Sequence, residues 1–499
     1  MLPRLIQGGM GAGVSSWGLA REVSSLGQLG VVSGTAIDAI LIRKLWDGDP
    51  NGDYRRAIAA FPSQEIAQAV LDKYLKIDGK SAGESAGEPP TGGEDDDDSE
   101  AAEAGGLIQV RRYKLSPMLR ATISPERQAL IVLANFVEVF LAKEGHDGVV
   151  GINYLEKVQF PHLPSLYGAM LANVDAIIMG AGIPIEIPDA LDRLSRHLKT
   201  SIPLDVLGAG DKKFELTFDP QVIGFGKGEP DLRRPQFLPI ISAATLAKAL
   251  LRRSPDGIGG FVIEGAVAGG HNAPPRGKMQ LNERGEPIYG ERDVVDLEQM
   301  KAFGLPFWLA GAYGSRERFA EALAAGAHGV QVGTAFAFCE DSGLDPKLRA
   351  QFLADLVAGK ADIYTDPVAS PTGFPFKVVV MEGSISEEVA YEARPRLCDI
   401  GYLRRAYVRP DGKLDYRCPS EPVDDYLKKG GKLEDTVGRK CLCNALTANI
   451  GLAQRRPDGY EEPPMLTSGD DINCILAFIT PENQTYYARD VIEALLPPA

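Results

Sequence analysis

Residues 259–271 read GGFVIEGAVAGGH, a short apolar run that ends in a carboxylate and a string of small residues before a histidine. A run of this kind, without polar alternation, belongs to a strand buried on both faces, as in a parallel sheet. Seven more runs share that form: LIQGGM (5–10), LGVVSG (29–34), GVVGINY (148–154), DAIIMGAG (175–182), FLPIIS (237–242), PFWLAGA (306–312) and GVQVGTAF (329–336). Amphipathic stretches lie between them, among them WGLAREVSSL, ALDRLSRHLK, ATLAKALLRR and SRERFAEALAAG. Eight strand–helix alternations are the count of a closed (β/α)8 barrel, so an α/β fold of the TIM-barrel type is expected, with an open doubly wound sheet as the alternative. SIPLDVLGA (201–209) competes with FLPIIS for the fifth strand. FLPIIS is preferred because a helix follows it at once, whereas 210–234 is broken by Gly and Pro and alternates like a hairpin.

The expected barrel occupies 1–35 and 107–340, with an insertion at 201–234. Residues 36–78 read as an inserted helical segment, and 341–499 as a mostly helical C-terminal extension over the catalytic face, with LRAQFLADLVAG and TYYARDVIEALL as helices. Residues 79–106 hold nine acids and one base and almost no aliphatic side chain, so a disordered acidic linker is expected there. That tract carries −8 of the net charge of −15, leaving a mildly acidic remainder without the clustered Lys and Arg that nucleic acid or an anionic membrane requires. No apolar run approaches the roughly 18 residues of a membrane span. The opening MLPRLIQGGMG lacks a charged-then-apolar leader pattern, and six cysteines are too few for a disulfide scaffold, so a cytoplasmic protein is expected.

Barrel sites form at the C-terminal ends of the strands. The residues to read there are Gln7 to Gly11, Asn153, Gly180 to Gly182, Glu264 to His271, Ala310 to Ser315 and Gln331 to Thr334. The last two segments pair glycine turns with helix starts, whose exposed N–H groups accept a phosphate, and an FMN-sized ligand fits that pattern. Of five histidines, His271 alone follows a glycine pair at a strand end, and its near-neutral titration suits proton transfer. His328, at the entry to the eighth run, reads as structural, and His146, His162 and His197 lie on helices or insertions without partners. Cys398, Cys418, Cys441 and Cys443 are spaced C-x19-C-x22-C-x-C, unlike the C-x2-C or C-x4-C of common metal sites, so buried thiols and no metal are expected.

LIQGGMG, GINY, MGAG, EGAVAGGH, LAGAYGS and GVQVGTAF, in this order and at these strand ends, resemble the FMN-dependent nitronate monooxygenase (2-nitropropane dioxygenase-like) superfamily. That superfamily also includes the flavin-dependent enoyl-acyl-carrier-protein reductases. The resemblance covers 1–35 and about 130–340, and more loosely ASPTGFPFKVV (369–379) resembles the substrate-side segment that follows the barrel. It implies one non-covalent FMN, with Gly9 and Met10 at the flavin ring and Asn153 and Gly180 along its edge and ribityl side. Glu264, Gly265, Gly269 and Gly270 fall in the sixth-strand turn beside it, Gly311, Gly333 and Thr334 correspond to phosphate contacts, and His271 matches the active-site histidine. Two positions depart from the pattern: Ala310-Gly311-Ala312-Tyr313 stands where relatives carry a glycine pair and isoleucine, and Ala335 where an arginine is common.

The resemblance implies oxidation of an alkyl nitronate by O2 to a carbonyl compound and nitrite. An NAD(P)H-dependent reductase of an enoyl thioester or quinone is the alternative, and a flavin-binding scaffold without turnover is the non-enzymatic one. The expected partners are a small-molecule substrate with O2 or NAD(P)H as co-substrate, and neither nucleic acid nor membrane; a homodimer is left open.

Overall fold

The computed structural model describes residues 2–77, 80–81, 112–226 and 228–496. Eight parallel strands make its central sheet: β1 (Leu5–Gln7), β2 (Gly30–Ser33), β3 (Val150–Leu155), β4 (Ala176–Gly180), β5 (Gln236–Ile241), β6 (Phe261–Glu264), β7 (Phe307–Ala310) and β8 (Gly329–Val332). These are the eight runs read from the sequence, in chain order, with FLPIIS as the fifth and paired on both sides, to β4 and β6. The sheet closes where β1, already paired with β8, meets the entry to β2. Gln7 N–H donates to the Leu29 carbonyl at 3.0 Å, and Leu29 N–H to the Leu5 carbonyl at 3.1 Å. The Gln7 side chain fastens the same seam, its Oε1 accepting from Val31 N–H at 2.9 Å.

Alternation along the strands separates two apolar layers. Ile6, Val31, Ile178, Leu238, Val262 and Trp308 fill the barrel, while neighbours such as Leu5, Val32, Ile177, Phe237 and Phe261 face the surrounding helices. Burial on both sides is why these strands read as unbroken apolar runs. Trp308 is buried inside the barrel and donates its indole N–H to the Pro3 carbonyl at 2.9 Å, so the interior is a packed core and a ligand space is left only at the C-terminal ends of the strands.

The region around the barrel differs in detail from the sequence reading. The hairpin expected within 210–234 begins earlier: Thr200–Pro203 pairs antiparallel with Glu215–Phe218, because SIPLDV supplies its first strand. Beyond residue 340 the helices Pro346–Val357, Leu442–Ala448 and Ala488–Leu495 are joined by two antiparallel pairs, Asp362–Asp366 with Phe376–Val380 and Arg405–Val408 with Leu414–Arg417. Val206–Leu207 of the insertion adds to the second pair, tying it to the extension. The expectation of a disordered linker at 79–106 lies outside the described residues except at Lys80–Ser81, which pair antiparallel with Lys76–Ile77. Among the described residues no helix is long and apolar enough to cross a membrane.

Candidate functional site

The turns at the strand ends are built for close approach. At Gly9 a Cβ would lie 2.4 Å from the Asn153 Cβ, so glycine lets the loop after β1 rest on the end of β3. At Gly269 a Cβ would meet the Gly469 nitrogen and the Ser468 carbonyl carbon, both at 2.8 Å, so the β6 turn lies flush against a loop of the C-terminal region. After β7, Gly311 and Ala312 both take left-handed backbone, with φ of 96° and 58°, and Ala181 after β4 has φ of 55°. Such conformations cost a non-glycine residue roughly 1–2 kcal/mol and gather at ligand sites. Among the described residues no group accepts from the N–H of Ala312, Tyr313 or Gly314, which leaves three successive donors at this turn.

These turns surround a cleft of about 1500 Å³, its open mouth included, at the C-terminal end of the barrel. Gly9, Met10, Asn153, Gly180, Glu264, Gly269, Gly270, His271, Gly311, Gly333 and Thr334 all line it. Gly265 does not; it borders a small neighbouring pocket with Asn272, Arg276 and Tyr289.

His271 stands apart from the other four histidines. His146, His162, His197 and His328 each place Nε2 2.8–3.0 Å from a backbone carbonyl, of Ala142, Leu155, Pro230 and Leu2 respectively, so each donates a structural hydrogen bond. The three on helices and insertions therefore have partners that the sequence did not disclose. His271 Nε2 instead meets the Ser370 hydroxyl at 2.7 Å, and Ser370 in turn meets Thr372 Oγ1 at 2.7 Å. Phe376 packs edge-on against the ring at 4.8 Å between centroids. Burial pushes His271 down to about 4, so the imidazole is neutral at pH 7, and among the described residues its Nδ1 has no partner. Burial pushes the Glu264 carboxyl up to about 8, so it too is uncharged. Gln331 brings a buried Oε1 with no partner among the described residues into the same wall.

The described cleft wall contains no lysine or arginine, and Asp471 is its remaining acid beside Glu264. Any anion held there rests on backbone N–H groups, on the helix that opens at Thr334, and on neutral donors. The Thr334 hydroxyl already accepts from Gly469 N–H at 3.0 Å, which leaves its own hydrogen to donate.

Residues 231–360 match the nitronate monooxygenase family. The matched stretch runs from β5 through β8 and includes Glu264, His271, Gly311, Gly333 and Thr334, in keeping with the resemblance read from the sequence. A Saccharomyces cerevisiae protein provisionally named a nitronate monooxygenase is 28% identical over 188 residues, which is 34% of this chain and 46% of the yeast protein. This chain thus spans about half the length of that relative. Among solved structures, a nitroalkane oxidase from Streptomyces ansochromogenes is 14% identical with a TM-score of 0.44, covering 99% of this chain and 94% of its own. FabK from Thermotoga maritima is also 14% identical, with a TM-score of 0.37 and coverage of 75% and 70%.

Sequence reasoning set the C-terminal extension over the catalytic face but named none of the residues it brings to the cleft. Leu446, Asn449, Leu466, Ser468, Gly469 and Cys474 complete the wall from beyond the family match. They sit in loops and two short helices without periodicity or motif, so nothing local marks them. Ser370 lies in the quoted segment 369–379, but its pairing with His271 bridges 99 residues and only the fold reveals it.

Proposed function

We propose that the protein is an FMN-dependent oxidoreductase of a small organic substrate, acting on an alkyl nitronate with O2 as co-substrate. The observation that carries this reading is His271, a neutral imidazole held by Ser370 on the wall of a glycine-lined cleft at the C-terminal ends of the barrel strands. The residues present fit a flavin mononucleotide. Gly9, Met10, Asn153 and Gly180 offer a flat, closely approachable wall, and Gln331 has an unused acceptor beside it. The N–H groups of Ala312, Tyr313 and Gly314, with the Thr334 hydroxyl, supply a phosphate cradle made without a cationic side chain.

When bound, the flavin supplies the electron acceptance and the reaction with O2. The chain's own part is to bind, orient and manage protons. If Nε2–H donates to Ser370, the Nδ1 lone pair of His271 is a base for a carbon acid; if Ser370 donates to Nε2, Nδ1–H is a donor for a nitronate oxygen. In the second arrangement the ring stays uncharged and stabilises the nitronate by a hydrogen bond; in the first it takes the carbon-bound proton and becomes imidazolium beside the nitronate so formed. The protonated Glu264 carboxyl is a second donor in the wall.

A second reading rests on a different observation. With no lysine or arginine in the described wall, and with Met10, Val267, Phe376, Leu446 and Leu466 lining it, the cleft also suits the apolar chain of an enoyl thioester reduced at the expense of NAD(P)H. Anaerobic stopped-flow separates the two. Flavin absorbance that changes on mixing with an alkyl nitronate alone supports the first reading, and bleaching by NAD(P)H alone moves the protein to the second. A protein purified without flavin that takes up none on incubation with FMN overturns both. The small number of cysteines, all six free in the structure, supports a cytoplasmic location.

A further inference from the structure

The hydrogen bonding of His271 does not end at Ser370. Ser370 Oγ lies 2.7 Å from His271 Nε2 and 2.7 Å from Thr372 Oγ1, so nitrogen and two hydroxyls stand in file. Thr372 N–H donates to Ser370 Oγ at 3.2 Å, and Phe374 N–H to Thr372 Oγ1 at 3.3 Å. These amides fix the two oxygens but take up no proton, so each hydroxyl hydrogen points one way or the other along the file. Gly373 N–H donates to the Ser370 carbonyl at 3.1 Å and closes the turn 370–373 that carries both hydroxyls. The file joins two separate spaces. His271 lines the cleft, whereas Thr372 borders an outer pocket of about 680 Å³, its open mouth included. Phe374 and the exposed residues Lys157, Asp205 and Arg405 also wall that pocket, so solvent meets Thr372 away from the cleft. No residue borders both spaces, and Ser370, fully buried, borders neither.

A base at His271 needs such a path. Burial pushes the ring down to about 4, so an imidazolium left there after taking a proton from a carbon acid is disfavoured. We propose that Ser370 and Thr372 relay that proton from His271 to the outer pocket, an inference that rests on the nitronate reading of the cleft. The substrate C–H bond breaks, its electron pair stays on the substrate as nitronate, and Nδ1–H forms. Nε2 passes its hydrogen to Ser370 Oγ, Ser370 its own to Thr372 Oγ1, and Thr372 its own to water in the outer pocket. The ring is then neutral again, with Ser370 donating to Nε2 and Nδ1–H facing the nitronate. The two hydrogen-bond arrangements of His271 are thus the states before and after one relay step. Once products leave, water entering the cleft takes the Nδ1 proton, and the outer pocket returns one through Thr372 and Ser370 to Nε2. Thr372 lies outside the cleft and acts through Ser370 and His271, as a positioning residue.

The test compares a neutral nitroalkane with its preformed nitronate on the flavin-bound full chain, because only the nitroalkane must lose a proton. In Thr372→Val the rate with nitroalkane, relative to that with nitronate, should fall about tenfold, and Thr372→Ser should restore it. The wild-type nitroalkane rate should depend non-linearly on the deuterium content of the solvent, the mark of several protons moving together, and Thr372→Val should lose that curvature. Equal ratios in wild type and Thr372→Val, both with flavin bound, overturn the relay. A linear deuterium dependence in the wild type also overturns it, even where Thr372→Val fails to fold. A wild type that consumes nitronate but no nitroalkane overturns it too, and all three results leave the nitronate reading standing. A wild type inert to both forms overturns that reading and the relay with it.

Discussion

His271 Nε2 lies 2.7 Å from Ser370 Oγ, joining the turn after the sixth barrel strand to the segment that follows the barrel. The serine fixes the ring's orientation and which nitrogen faces the cleft. Ser370→Ala removes a hydrogen bond worth about 0.5–1.5 kcal/mol, so turnover should fall up to roughly tenfold while flavin content stays the same. Steady-state kinetics beside an absorbance measurement of bound flavin checks both halves.

His271→Ala should lower turnover by about 10²–10⁴, the range for loss of a positioned acid–base group, with the flavin retained. Equal turnover in wild type and variant would remove the histidine from the mechanism.

The pH dependence follows from two groups displaced in opposite directions. His271 falls to about 4 from an ordinary 6.5, so the unfolded chain takes up its proton first and the stability linked to it is complete above 6.5 and lost as pH falls through about 4. Glu264 rises to about 8 from 4.5, so its contribution is complete below 4.5 and lost as pH rises through about 8. Thermal melts from pH 4 to 9 should decline at both ends, and Glu264→Gln should flatten the alkaline decline alone.

Gly9→Ala places a methyl group 2.4 Å from the Asn153 Cβ, where both partners are fixed by backbone. Overpacking of this kind costs about 1–3 kcal/mol and shifts the floor of the cleft. A lower melting temperature and weaker flavin retention on dialysis are the expected readouts.

Arg394 and Glu462 form an ion pair at 2.5 Å, with both side chains at most 4% exposed. Glu462→Ala strands a buried guanidinium and should cost about 3–5 kcal/mol by denaturant titration, whereas a solvent-exposed pair such as Arg318–Glu321 should cost under about 1 kcal/mol when broken.

The barrel was legible because parallel strands buried on two faces must be continuous apolar runs, and all eight of those runs became strands in order. The barrel side of the cleft was legible for the same reason: site residues follow strand ends, and Gly9, Asn153, Glu264, His271 and Gly333 occupy those places. The remainder depends on contacts far apart in sequence. Nothing near Ser370 announces its histidine partner, and the spacing of Cys398, Cys418, Cys441 and Cys443 does not show that they border one small cavity. Residues 466–474 carry no motif of their own because their task is complementarity to turns over a hundred residues earlier.

Gly469 N–H donates to Thr334 Oγ1, and Gly269 lies against Ser468 and Gly469, so the ends of two barrel strands are finished by residues near the chain's close. During synthesis the eighth strand leaves the ribosome long before Gly469 is made. A nascent barrel therefore has its strands in hand while one side of its cleft is still missing. Cofactor loading is then a late event in the life of the chain, and nascent chains stalled before residue 466 should hold flavin poorly however well their barrels have folded.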